Sequence, residues 1–302
     1  MNIGILSRGP QLYSTQQLWK AGQMRGHRML IYDPAFCQLR LDDSPTVIYE
    51  GDSLHALHAV IPRIGSSITE QGAAVIQQFE VMGVYTTTSS EALLQSRDKL
   101  RCLQQLNRAG IPTPRTVLVN HLDQLPDLLG AIGGMPVVIK LLQSTHGVGV
   151  ILAETYHQAI STIEAMLRLG TRVIVQEFIR ESAGEDVRAF VVAGEVVAAM
   201  CRRAADGDFR SNLHRGATAA PTRLGDAEEE LVRRAVRALR IDVAGVDLLR
   251  SRRGPLIIEV NASPGLEGIE TITGVDVSGK IIQHIERRMR TPRPLRRARK
   301  EK

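Results

Sequence analysis

No apolar run in the sequence approaches the ~20 residues that a membrane-spanning helix needs, so no membrane association is expected. Cysteine is scarce. Cys37, Cys102 and Cys201 are odd in number and far apart, which excludes a disulfide framework and any metal-ligand spacing. They are read as buried structural thiols of a protein in a reducing cytosol. Aromatic residues make up only 4 %, too few for the stacking platforms of a single-strand nucleic-acid binder. Met1 to Ser7 lack a basic start, an apolar stretch and a small-residue cleavage site. No secretory signal is read there, and a cytoplasmic location is expected. Gly-Lys-Ser/Thr is absent, as is Gly-x-Gly-x-x-Gly after the first strand. Those absences argue against a Walker A site and a dinucleotide-binding Rossmann domain.

Basic residues exceed acidic ones by six, but the excess is local. Removing the nine basic residues and one acidic residue of Arg287 to Lys302 leaves 29 basic against 31 acidic, a net of −2. Residues 291–302 read as a disordered basic arm. Two readings stand: a solvated tail, or contact with an acidic partner such as RNA or an acidic protein segment. No direct DNA binding is expected of the folded part.

Apolar residues make up 43 %, enough for real cores in two domains or one large α/β enzyme. Short apolar strands at residues 2–6, Met29 to Tyr32 and Ala59 to Pro62 alternate with a helix whose apolar side carries Leu18, Ala21 and Met24. That alternation predicts a parallel sheet. Asp98 to Ala109 reads as a helix with Leu100, Leu103 and Leu106 on one face, stopped by Gly110 and kept from continuing by Pro112 and Pro114. Strands are predicted at Thr116 to Val119, Pro136 to Leu142 and Arg172 to Phe178, with a hairpin turning at Gly194. A helix over Ala227 to Leu239 takes Asp226 as N-cap and Glu229 as capping-box partner. A strand pair, Ala244 to Leu249 and Leu256 to Asn261, follows. The region after residue 90 thus reads as α+β with antiparallel pieces, unlike the parallel α/β start.

Four stretches carry chemistry. In Leu256-Ile257-Ile258-Glu259-Val260-Asn261, alternate residues share a face. Glu259 and Asn261 then point one way, and Leu256, Ile258 and Val260 point into the core. A hairpin would add Asp247, giving three hard oxygen donors suited to Mg²⁺. The alternative is the solvated face of a hairpin. Lys140, centred in the apolar strand Pro136 to Leu142, is costly there unless an anion pairs with it. Gly147 and Gly149 follow in a loop whose backbone N–H groups can approach a phosphate. Together they fit a triphosphate clamp, or else an edge-strand lysine and an ordinary turn, with His146 a loop residue. Gln176-Glu177-Phe178 ends a third apolar strand. Backbone groups there could read an adenine edge, and Glu177 or Asp186 could accept from ribose hydroxyls. Finally, Arg202, Arg203, Arg210 and Arg215 cluster in an apparent loop. Their planar forks suit γ-phosphate and an acyl phosphate, or a dicarboxylate amino acid. The plainer reading is a solvated basic loop.

With these elements in order, the sequence resembles the ATP-grasp superfamily, and within it the RimK family of glutamate ligases. The resemblance runs through Val60-Ile61-Pro62-Arg63-Ile64-Gly65, Arg97-Asp98-Lys99-Leu100, the Lys140 strand and Gln176-Glu177-Phe178. Its most specific parts are Gly207-Asp208-Phe209-Arg210-Ser211-Asn212-Leu213-His214-Arg215-Gly216 and Ile258-Glu259-Val260-Asn261-Ala262-Ser263-Pro264-Gly265-Leu266-Glu267-Gly268. Only the extreme C-terminal tail falls outside it. The resemblance implies an N-terminal α/β (pre-ATP-grasp) domain over residues 1–95 and a two-lobed ATP-grasp fold over 96–290. The smaller lobe would lie at about 112–180 and the larger at about 181–290.

The resemblance also implies roles. Lys99, Lys140, Gly147 and Gly149 would contact nucleotide phosphates. Glu177 and Phe178 would sit at the adenine and Asp186 near the ribose. Arg210, Ser211 and Asn212 would line the nucleotide, with Arg202, Arg210 and Asn212 serving catalysis. Asp247, Glu259 and Asn261 would hold two Mg²⁺ or Mn²⁺ ions. The implied activity is ATP-dependent ligation of L-glutamate to the C-terminus of the sixth small-subunit ribosomal protein through an acyl phosphate, with poly-α-glutamate as a further product. A homo-oligomer is allowed by this reading. The rivals are a ligase that uses a coenzyme, carrier protein or free amino acid as acceptor, and a basic-tailed ribosome- or RNA-binding protein. No Ser-His-Asp or Cys-His pairing stands out, as expected where no side-chain nucleophile is needed.

Overall fold

The computed structural model describes residues 1–142, 149–182, 184–206, 208–213 and 216–290. Four strands at the start form a parallel sheet in the order Arg28–Tyr32, Asn2–Leu6, Ala59–Pro62, Tyr85–Thr86. The predicted strands are therefore present, and helices Tyr13–Met24 and Thr69–Val81 connect them. One expectation fails on the first helix. Met24 is 88 % exposed, and the buried stripe runs through Thr15, Leu18 and Gly22 instead. Gly22 is there because Met29 packs on it: a Cβ at that position would lie 2.1 Å from the Met29 sulfur. A small antiparallel sheet of Gln38–Arg40, Thr46–Tyr49 and Asp52–Ser53 was not anticipated from the pattern.

Helix Lys99–Arg108 leads out of this region, capped by the Asp98 carboxylate, which accepts from the N–H groups of Leu100 and Arg101 at 2.9 and 3.0 Å. A four-stranded antiparallel sheet follows in the order Val150–Ala153, Val137–Leu141, Val173–Glu177, Thr116–Val119. It has its own core of Val119, Leu125, Ile139, Ile163 and Val175, among others. The largest sheet has five antiparallel strands, ordered Thr218–Pro221, Glu195–Arg203, Glu185–Val192, Val243–Ser251, Gly254–Asn261. Helix Asp226–Leu239 covers one of its faces with the predicted stripe Leu231, Val232, Ala235, Val236 and Leu239. Its cap differs from expectation. Gly225 is the N-cap, and its N–H donates to Glu228, not Glu229, at 2.9 Å. Asp226 is already the first helical residue.

The last helix, Val277–Arg290, returns to the N-terminal sheet. Ile281, Ile282 and Ile285 share one buried cluster with Ile3, Ile5 and Leu18. Burying each such side chain contributes ~1.5–3 kcal/mol, so apolar packing fixes this helix. Ion pairing adds orientation: Glu286 accepts from Arg25 at 2.7 and 2.9 Å and meets His27 at 2.8 Å. The Arg25 bond, outweighing some burial, holds the Glu286 carboxyl down at about 2. Its stabilisation is therefore complete above the ordinary Glu range near 4.5 and is lost as pH falls toward 2. Melting curves of the parent and Glu286→Gln should differ at pH 7 and converge as pH falls through that window. A gap independent of pH would assign the effect to packing. Of the three free thiols only Cys102 is buried; Cys37 and Cys201 are half-buried, contrary to expectation. Among the described residues no helix is long and apolar enough to cross a membrane.

Candidate active site

A cavity of about 820 Å³ lies where the four- and five-stranded antiparallel sheets and the N-terminal layer face one another. Its wall collects Lys99, Lys140, Glu177, Phe178, Asp186, Arg202, Arg210, Ser211, Asn212, Asp247, Glu259 and Asn261. Those are the predicted site residues, drawn from both sheets, the helix Lys99–Arg108 and the segments that follow strands, with two exceptions. Gly147 lies outside the described residues, as do His146 and Arg215. Gly149 is described but does not line the cavity. It sits at φ +67° in the turn before Val150, and a Cβ there would lie 2.4 Å from Leu141. Glycine is required at that turn by sterics.

Lys140 occupies the strand Val137–Leu141, and its ammonium donates to Gln176 Oε1 at 2.6 Å. Gln176 is buried and in turn donates to Thr116 Oγ1 at 2.8 Å. Burial pulls the Lys140 ammonium down to about 8, and the charge of Glu259 only partly restores it. Lys99 is lowered for the same reason, with Glu259 again opposing. Both lysines thus line the cavity as partly desolvated cations within reach of the Glu259 charge. At the strand end, Glu177 accepts from the Arg115 N–H at 2.7 Å and from Arg253. Phe178 meets Phe209 edge-on, with centroids 6.3 Å apart. Arg210 is held by Asp208 at 2.9–3.2 Å and reaches the Val150 carbonyl at 3.3 Å, so it spans the cleft between the two sheets.

The floor is a buried ion network that corrects the loop assignment of Arg202 and Arg203. Both lie in the strand Glu195–Arg203. Asp186 stands opposite Arg202, and Arg188 opposite Asp247, as cross-strand partners. Arg202, 2 % exposed, donates to both oxygens of Asp186 at 2.7 and 2.6 Å and lies 3.0 Å from Asp247. Arg188 donates to both oxygens of Asp247 at 2.7 and 2.6 Å. Burial would raise the Asp247 carboxyl, but Arg188 and Arg202 outweigh it and hold the group below its usual range. Arg202 is thus a clamp between two carboxylates and offers no spare fork. Arg188 was missed from sequence, although a charged residue inside Val187-Arg188-Ala189-Phe190 is the same signal that singled out Lys140.

Glu259 and Asn261 both line the cavity, and Asp247 pairs in register with Glu259. The predicted alternation breaks at Ile258. A bulge after Asp247 leaves Ile258 unmatched, so it lines the cavity while Ile257 is buried in the core. Gly245 completes the local geometry: a Cβ there would lie 2.9 Å from Pro264. Among the described residues no three His, Cys, Asp or Glu side chains converge tightly enough to form a metal cluster. The donor set is instead two carboxylates and an amide oxygen, which suits a hard divalent cation.

The family model described as the RimK-like ATP-grasp domain matches residues 96–285, and that of the RimK PreATP-grasp domain matches residues 1–93. The chain belongs to the RimK-like ATP-grasp family. A probable alpha-L-glutamate ligase of Syntrophotalea carbinolica is 50 % identical over 288 residues, 95 % of this chain and 96 % of that protein. One from Trichodesmium erythraeum is 51 % identical over 290 residues, covering 96 % and 97 %. Among solved structures, the RimK domain ATP-grasp protein of Sphaerobacter thermophilus aligns with a TM-score of 0.71 at 23 % identity, covering 94 % of this chain and 99 % of that one. The ATP-grasp ligase PsnB, complexed with minimal precursor, Mg and ADP, gives 0.75 at 19 % identity, covering 95 % and 97 %. These structural likenesses concern the fold. Together with the matched domains and the close relatives they place this RimK-like chain among ATP-dependent, amide-forming ligases.

Proposed function

We propose that the protein is an α-L-glutamate ligase that activates a C-terminal carboxylate with ATP and couples it to the amine of L-glutamate. The observation that carries the reading is the meeting of Lys140, Lys99 and Arg210 with Asp247, Glu259 and Asn261 around one cavity. Near-complete relatives named probable alpha-L-glutamate ligases support the choice of amino acid. The proposed acceptor is the C-terminus of the sixth small-subunit ribosomal protein, on the strength of the sequence resemblance.

An acceptor carboxylate oxygen attacks the γ-phosphorus, the bond to the bridging oxygen of ADP breaks, and an acyl phosphate forms. The glutamate amine then attacks the carbonyl carbon, a proton leaves the nitrogen, and phosphate departs with the original carboxylate oxygen. Lys140 and Arg210 supply positive charge where the transferring group's negative charge spreads over its oxygens. Glu177 and Phe178 line the adenine end. Glu259, Asn261 and Asp247 would hold the divalent cations, which when bound neutralise phosphate charge. No side-chain nucleophile is required. Water must be excluded, because it would hydrolyse the acyl phosphate.

Lys140→Met tests the phosphate role. ATP affinity or turnover should fall by roughly 10²–10³ while the fold persists. Because burial depresses the lysine to about 8, the parent carries an unfavourable buried charge below that pH and sheds it as pH rises from about 8 toward the ordinary lysine range. The melting temperature of the variant relative to the parent should therefore decline across that window. Unchanged ATP binding would make the lysine structural. The substrate assignment is tested by ADP release with acceptor peptide, Mg²⁺ and glutamate, aspartate, glutamine or lysine in turn. Glutamate should give the highest rate, and a faster rate with a non-acidic amino acid would overturn the choice.

A further inference from the structure

Two arginines, Arg63 and Arg97, line the N-terminal side of the same cavity. Arg63 follows the buried strand Ala59–Pro62, and its own N–H extends the parallel ladder by bonding Leu6 at 2.8 Å. Its guanidinium donates to the Pro264 carbonyl at 2.7 Å. Arg97 ends the helix Ser90–Arg97 and donates to the Ile64 carbonyl. Both side chains line the cavity. Each is thus tied by a backbone carbonyl into the junction between residues 63–65 and 262–265. Among the described residues neither has an acid within ion-pair distance, although the charge of Glu259 reaches Arg97.

Such a pair is unfavourable as it stands. Burial and repulsion from Arg97 pull the Arg63 guanidinium down to about 10, and burial lowers Arg97 as well. Two desolvated cations side by side gain from an anion placed between them. Ser263 precedes Pro264, whose carbonyl Arg63 holds, and its buried Oγ has no hydrogen-bond partner among the described residues, a state that asks for an occupant. Ser263 too lines the cavity. Planar guanidinium forks match a carboxylate in two parallel bonds, and a serine hydroxyl adds a third donor. In the proposed reaction the triphosphate already has Lys140, from the strand Val137–Leu141, and Arg210, from the segment after the strand Glu195–Arg203. Arg202 is fully engaged by Asp186 and Asp247 and has no fork left for the amino acid.

We propose that Arg63, Arg97 and Ser263 form a carboxylate subsite that holds the incoming dicarboxylate amino acid and orients its amine toward the activated acceptor. The assignment rests on the glutamate-ligase reading above. A carboxylate of the acceptor peptide has the same chemistry, so the test must separate the two sources.

Arg63→Gln and Arg97→Gln each keep an N–H donor for the carbonyl that anchors the arginine. The full-length variants are assayed with MgATP, acceptor peptide and L-glutamate, each varied in turn. The KM for glutamate should rise roughly ten- to a hundredfold, with the KM for ATP and the melting temperature close to those of the parent. The parent should show a comparable loss when L-glutamine replaces glutamate, and the variants should discriminate less between the two. Should a glutamine variant fail to fold, Arg63→Lys and Arg97→Lys retain charge without the fork and should give an intermediate rise. An unchanged glutamate KM in the folded variants overturns the subsite, and so does a rise confined to the acceptor peptide. If the parent couples a different amino acid, it is the glutamate reading that fails, and the same KM series run on that amino acid decides the subsite.

Discussion

Arg202→Met should cost about 3–5 kcal/mol of stability, the usual result of removing one partner from a buried ion network. Asp186 and Asp247 would be left facing each other without the guanidinium that bonds one of them twice and lies 3.0 Å from the other. Arg188 can compensate only Asp247. Denaturant unfolding should show the loss at pH 7. Because the stranded carboxylates can neutralise themselves by taking up protons, the deficit should shrink as pH falls toward the ordinary carboxylate range. The double variant Arg202→Met with Asp186→Asn should recover part of the loss. A single variant as stable as the parent would mean that the network contributes nothing to the fold, and that Arg202 has a different task.

Glu259→Gln should leave the fold intact and lower turnover by roughly 10²–10³. Glu259 faces the cavity, and its negative charge is felt by Lys99, Arg97 and Lys140 alike. The substitution replaces an anionic carboxylate donor with a neutral amide oxygen, and it removes the acid that helps keep Lys140 protonated. Two readouts separate these effects. Loss of the anionic donor should raise the Mg²⁺ concentration needed for half-maximal turnover. Loss of the charge should shift the alkaline limb of the pH–rate profile downward. Near-normal turnover at low Mg²⁺ would remove Glu259 from the proposed metal site.

Much of this arrangement is legible in the sequence, for identifiable reasons. Short apolar runs such as Ala59–Pro62 and Val173–Glu177 are too short for a helix and rich in β-branched residues, so length and composition together point to strands. A lone cation in an apolar strand pointed to Lys140, and the oxygen-bearing end of Gly254–Asn261 pointed to Glu259 and Asn261. What failed depended on pairing. The bulge that turns Ile258 to the cavity is a property of two strands in register, and strict alternation cannot contain it. Arg202 read as a loop residue because its partners, Asp186 and Asp247, are 16 and 45 positions away; only the five-stranded sheet makes them neighbours. Asp226 and Glu229 are chemically as good a cap as the observed Gly225 and Glu228, and a one-residue shift of the helix start decides between them. Arg63 and Arg97 carried no signal of their own, since what marks them is their burial together at the cavity with, among the described residues, no acid within ion-pair distance.

The central claim is that a carboxylate is phosphorylated by ATP and then captured by the amine of glutamate. It is tested most directly by labelling the C-terminal carboxylate of the acceptor peptide with ¹⁸O and following peptide and phosphate together by mass spectrometry. The account predicts a ladder of glutamyl additions confined to the C-terminal end, with one ¹⁸O atom appearing in inorganic phosphate for the first addition. Both signals should require ATP and a divalent cation, and both should vanish when the carboxylate is amidated. Additions at lysine side chains, or glutamyl transfer with no label in phosphate, would contradict it.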